Sequence, residues 1–149
     1  HTTWAVKTPN AGRVTIMLTG HCECGQVRFE VDGDVEDFSH CHCSQCRRLH
    51  GAAYATFAGV KRDAFRYTKG EDLIGRYWSS QKNERIFCGN CGSNIMVISN
   101  TDPAYYYVSM SAIDGDPALP EGYHIYAGSI APWHKILDDL KQYEADPPE

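Results

Sequence analysis

Apolar and β-branched residues come along this chain in short runs with a two-residue alternation, the pattern of strands buried on one face. Residues 13–18 read RVTIML, and Val27, Phe29 and Val31 alternate with Arg28 and Glu30. The same signal recurs at residues 54–57, 65–68, 76–78, 84–87, 95–98, 105–108 and 124–126. Turn formers such as Asp32-Gly33, Lys69-Gly70 and Asp114-Gly115-Asp116 separate these runs. Short strands at this spacing predict sheets folded against one another, a mainly β protein with little helix. Helix is expected in two places only. One is residues 44–49. The other begins near Pro132, where proline suits a first helical turn and Ile136, Leu137, Leu140 and Tyr143 fall on one face that would pack into the core.

A length of 149 residues suits one domain with one core. The expected organisation is a loose N-terminal arm over residues 1–12, a single domain over 13–144 and a solvated tail over 145–149. Fourteen Lys and Arg against nineteen Asp and Glu leave a formal charge of −5, the wrong sign for gripping a phosphate backbone. No nucleic-acid partner is expected. Nor is a membrane: no apolar run reaches the length of a span, and the first residues lack the charged-then-apolar order of a signal peptide. The expected location is the cytoplasm.

The seven cysteines change the picture most. An odd number in a chain with no secretion signal points to metal binding over a disulfide framework. Cys22-Glu23-Cys24-Gly25 leads into one strand, and Cys88-Gly89-Asn90-Cys91-Gly92 lies at a turn between two others. Paired, they offer four thiolates, the closed tetrahedral set of a structural zinc ion, with Gly89 and Gly92 giving the backbone freedom to curl around it. Cys41, Cys43 and Cys46 form a CxCxxC run that offers three more. Three protein ligands leave a fourth position for water or substrate, the arrangement of catalytic zinc. His40, His42 or His50 could instead close that set as a Cys3His structural site. Lone histidines in a β protein are usually satisfied polar residues, so His124 and His134 are given no metal role.

Four stretches carry a resemblance: GHCECGQVRFEV, SHCHCSQCRRLHGAAYATF, ERIFCGNCGSNI and HIYAGSIAPWHKILDDLKQYE. From about residue 18 to 143 the chain resembles the glutathione-dependent formaldehyde-activating (Gfa) family, also called the CENP-V/GFA domain. The resemblance implies an Mss4-like β-tent fold of several small antiparallel sheets around two zinc ions. It places Cys22, Cys24, Cys88 and Cys91 at the structural zinc and Cys41, Cys43 and Cys46 at the catalytic one. The implied activity is that of a carbon–sulfur lyase, S-(hydroxymethyl)glutathione synthase-like, joining formaldehyde or a related small aldehyde to glutathione or a related thiol. A thiolate would attack the carbonyl carbon, with the metal either holding the sulfur or polarising the carbonyl oxygen. Glutathione carries two carboxylates, and Arg47, Arg48 and His50 follow the cysteines closely enough to bind them.

Two other readings fit the same residues. In one, both clusters are structural and an aromatic surface of Trp78, Tyr105, Tyr106 and Tyr107 meets a protein partner. In the other, low-pKa thiols of the CxCxxC run sense oxidants and release zinc.

Overall fold

The computed structural model of the chain describes residues 5–10 and 13–148. In chain order its elements are β1 (Ala5–Asn10), β2 (Arg13–His21), β3 (Arg28–Asp32), β4 (Asp37–Cys41), α1 (Ser44–His50), β5 (Ala55–Lys61) and β6 (Phe65–Lys69). These are followed by β7 (Ile74–Trp78), β8 (Asn83–Cys88), β9 (Asn94–Ser99), β10 (Tyr105–Ser109), β11 (Tyr123–Ile125) and β12 (Lys141–Gln142). Each run read as a strand from its alternation lies in or overlaps one of these strands. The segment DFSHC of β4 was not among them, since it carries no apolar alternation. Within the stretch expected to be a loose arm, residues 5–10 form β1, antiparallel to β2.

Two sheets result, β1-β2-β3-β6 and β12-β11-β4-β5-β10-β9-β8-β7. Leu18, Val27, Phe29, Val31, Val60, Ile86, Ile95 and Val108 form the main buried cluster, drawn from both sheets. Each large side chain withdrawn from water there contributes on the order of 1.5–3 kcal/mol. A smaller cluster gathers Cys41, Cys46, Ala55, Phe57 and Val97. The ladders are antiparallel except at β11, which runs parallel to both β4 and β12. No helix among the described residues is long and apolar enough to cross a membrane.

The helix expected from Pro132 does not form. Residues 131–140 run as turns and extended chain, and Leu137, assigned to the core by its spacing, is 87% exposed. Side-chain bonding explains the difference. Asp138 Oδ1 accepts the Leu140 amide at 3.0 Å, a local turn that competes with helical bonding, and the carboxylate also meets His124 Nε2 at 3.0 Å. Lys141 and Gln142 then pair with β11, which holds the segment extended. The C-terminal tail is tied back as well: the Tyr126 amide donates to Ala145 O at 3.2 Å and its hydroxyl to Asp146 at 3.0 Å.

Gly70, between β6 and β7, has φ +77°, and a Cβ there would stand 2.0 Å from Gln26 O. Gly51, which ends α1 at φ +58°, has open space around the same position. Gly51→Ala is therefore expected to lose about 1–2 kcal/mol from the left-handed backbone alone. Gly70→Ala adds the backbone collision and should lose more than that by denaturant melts. Equal losses at the two positions would show that the Gln26 contact is unimportant.

Candidate metal centres

Two groups of sulfurs are brought together by this fold. Cys22 follows the end of β2, Cys24 lies in the tight turn beyond it, Cys88 ends β8 and Cys91 lies in the next turn, and their four sulfurs fall within 4.8 Å of one another. Cys22 Sγ is 3.5 Å from Cys24 Sγ, and Cys24 Sγ is 3.9 Å from Cys88 Sγ. A disulfide needs about 2.05 Å. A tetrahedron of thiolates at about 2.3 Å from zinc has edges of roughly 3.8 Å. The donor set and its spacing therefore fit a tetrahedral thiolate-bound ion such as zinc.

Local backbone turns aim amides at these sulfurs. Val27 N donates to Cys22 Sγ at 3.3 Å, and Asn90 N and Cys91 N both donate to Cys88 Sγ at 3.4 Å. The Asn90 side chain adds a bond to Cys24 Sγ at 3.3 Å, which holds the Cys24 thiol below its ordinary pKa. Ser93 Oγ lies 3.2 Å from Cys91 Sγ and accepts the Glu23 amide at 2.9 Å, so it fastens one turn to the other. The Ser93 bond, with the Cys24 backbone, lowers the Cys91 thiol to about 5. Of the two glycines credited with freeing the second turn, Gly92 does so with φ +83°. Gly89 serves a different need, since a Cβ on it would meet Leu73 O at 2.5 Å.

Cys41, at the end of β4, joins Cys43 and Cys46 in the second group, again within 4.8 Å. Cys43 is the N-cap of α1, its sulfur accepting the Cys46 amide at 3.3 Å. Hydrogen bonds from the Cys41 and Cys46 thiols hold Cys43 far below its ordinary value, while Cys41, giving up those bonds and buried, is pushed far up. It is the grouping of the three sulfurs that makes them a candidate donor set for a thiophilic metal ion. Arg85 of β8 reaches the group from across the sheet: its Nη1 donates to Cys46 Sγ at 3.5 Å and its Nε to Ser79 Oγ at 3.0 Å.

No histidine nitrogen belongs to this cluster among the described residues. Strand alternation explains why. Successive residues of β4 face opposite ways, so Cys41 sits with Phe57 and Val97 while His40 lies against Phe38, Tyr54 and His124. His42 joins the same histidine group: its Nε2 lies 2.8 Å from His124 Nδ1, and His124 Nε2 lies 3.0 Å from both Asp138 oxygens. Burial, followed by repulsion from His124, His134 and His40, lowers His42 to about 4. A cleft of about 440 Å³ opens beside this group, lined by Tyr54, His124, His134 and residues 135–138. His50, the third candidate closer, sets its ring on Phe57 and is lowered to about 4 by burial and by Arg85.

Of the residues expected to bind substrate, Arg47 is engaged by the protein, its Nε donating to His42 O at 3.4 Å and its guanidinium lying over the exposed Trp133 ring. Arg48 is exposed on α1 and His50 is half-buried near Arg85. The aromatic residues of the binding-surface reading are dispersed. Trp78 lies on the edge strand β7, three strands from β10, or roughly 14 Å at the usual strand spacing. Tyr106 packs against Phe65, Tyr105 donates to Glu36 at 2.7 Å and Tyr107 donates to Asp102.

Against known proteins, residues 17–129 match the sequence profile of the family described as "Glutathione-dependent formaldehyde-activating enzyme". The chain belongs to this family. The chain is 31% identical over 129 residues to a Halomonas elongata protein named "Putative glutathione-dependent formaldehyde-activating enzyme", covering 81% of this chain and 82% of that one. A Schizosaccharomyces pombe protein named as a lyase is 26% identical over 90 residues, covering 60% of this chain and 64% of its own. A crystal structure of a Rhodobacter sphaeroides protein superposes with a TM-score of 0.57 at 27% identity, over 66% of this chain and 90% of that one. The fold is that of the family, and both cysteine groups lie within the matched span.

Proposed function

We propose that this GFA-family chain is a zinc-dependent carbon–sulfur lyase, in which Cys22, Cys24, Cys88 and Cys91 hold a structural zinc and Cys41, Cys43 and Cys46 a catalytic one. Its substrates are formaldehyde, or a related small aldehyde, and the thiol of glutathione or a related compound. The observation that carries this reading is the inequality of the two sulfur groups. Four sulfurs satisfy a tetrahedron by themselves, whereas three sulfurs with no histidine among them require a partner from outside the protein. When bound at the three cysteines, zinc supplies Lewis acidity toward a thiol sulfur or a carbonyl oxygen.

The chain's own residues do the rest. The buried sulfurs of Cys41 and Cys46 and the packed Phe57 and Val97 around them keep bulk water from the inner side of the site. Arg85 places a fixed positive charge against Cys46. Arg48 and the half-buried His50, both on α1, offer polar groups to the carboxylates of a tripeptide. In the reaction a carbon–sulfur bond forms between thiol and aldehyde carbon as the carbonyl π bond breaks. The proton lost from sulfur ends on the new hydroxyl oxygen.

The expected result with protein purified without chelator is two zinc ions per chain by mass spectrometry. Adduct formation from formaldehyde and glutathione, followed by NMR at the hydroxymethyl carbon, should run faster than the spontaneous reaction. One zinc per chain together with a rate equal to the spontaneous one would overturn the reading.

A further inference from the structure

Arg85 is 4% exposed, and a guanidinium carries its full charge at any pH a folded protein meets. A buried charge without an opposite partner costs several kcal/mol or more. Among the described residues no carboxylate forms an ion pair with it: the described arginine ion pairs are Arg66 with Glu30 and Arg76 with Glu84. Its hydrogen-bond acceptors are the neutral hydroxyl of Ser79 and the sulfur of Cys46. The anionic partner that such burial requires is therefore supplied by the three-cysteine group.

We propose that Arg85 is the counter-ion of the three-cysteine centre, a positioning residue that holds Cys46 in ligating geometry and offsets the centre's negative charge. The proposal rests on the reading that these cysteines bind a divalent metal. Three thiolates around a divalent ion retain one negative charge, which one guanidinium balances. The two centres differ here for a physical reason. In the four-cysteine centre Cys24 and Cys91 are exposed, so water solvates the excess charge. In the three-cysteine centre no sulfur is fully exposed: Cys41 and Cys46 are buried at 5% and 2% exposure and Cys43 is half-buried, so water does less of this there. A charge-balanced centre also presents less repulsion to a second anion, the thiolate or carboxylate of a substrate, than an uncompensated one.

The test uses the full chain loaded with cobalt(II), with chelator competition to measure affinity at each centre and the sulfur-to-cobalt absorption to report the ligand field. Arg85→Met is expected to weaken the second metal equivalent by about tenfold or more, the scale of a lost hydrogen bond to a charged group, and to shift the absorption of that centre. The first equivalent should bind as in the parent chain. Arg85→Lys, which keeps the charge, should recover most of the affinity. If Arg85→Met fails to fold, Arg85→Gln supplies the same comparison by keeping a donor for Cys46 without the charge. An unaltered second affinity and spectrum in the uncharged variant would overturn the counter-ion role, as would Arg85→Lys behaving like it. A parent chain that takes up only one equivalent would overturn the metal reading of the three cysteines instead.

Discussion

A Cys88→Ser chain is expected to lose its cooperative unfolding transition and most of its bound zinc. Cys88 is 0% exposed, ends β8 inside the main core and accepts two backbone amides at 3.4 Å. Its sulfur stands 3.9 Å from that of Cys24, across 64 residues of chain. Serine there offers a poor ligand and leaves a buried hydroxyl facing two amides placed for a larger sulfur. Structural zinc sites contribute apparent folding energies of about 10–16 kcal/mol at neutral pH, which rivals the roughly 5–15 kcal/mol of net stability of a whole domain. Circular dichroism melts with parallel metal analysis make the measurement, and prolonged chelation of the parent chain should reproduce the result. A transition within a few degrees of the parent's would mean that the four-cysteine centre is not what holds β2 to β8.

The second large effect is the opposite in kind. Cys43→Ser should leave the fold intact, remove one of two metals and abolish catalysis. The helix survives because serine is among the best N-cap residues, and its oxygen can accept the Cys46 amide that Cys43 Sγ accepts now. The second centre does not survive, because it is left with two thiolates. Lewis-acid assistance is worth several kcal/mol and each 1.36 kcal/mol is tenfold in rate, so a loss of at least about a hundredfold is expected. Initial rates above the spontaneous background, with zinc counted in the same samples, decide it. Parent-like activity with one zinc bound would move the chemistry away from the three cysteines.

Much of this molecule can be read from its sequence because its strongest signals are local. Cysteines two and three residues apart must share a turn, and alternating runs such as residues 27–31 must expose one face and bury the other. What the sequence hides are partners that only the sheet brings together. Arg85 looks like an outward residue of a strand, yet its guanidinium meets Cys46 from 39 residues away. His124 looks isolated, yet it bridges His42, 82 residues earlier, and Asp138. The misread helix has the same origin. The spacing of Ile136, Leu137, Leu140 and Tyr143 is helical, but the Asp138 contacts and the parallel ladder to β11 outweigh periodicity. Where one face of a strand holds Cys41 and the other His40, the chain order CHC suggests mixed ligation that strand alternation forbids.

Strand β8 carries Arg85 toward one centre and Cys88 into the other, three residues apart and so about 10 Å along the strand. A rigid strand that serves two sites makes their occupancies thermodynamically linked. If both cysteine groups take a metal as proposed, an ion that fixes Cys88 also steadies the strand from which Arg85 reaches Cys46, and filling the first centre is expected to raise the affinity of the second. By reciprocity the second raises that of the first by the same factor.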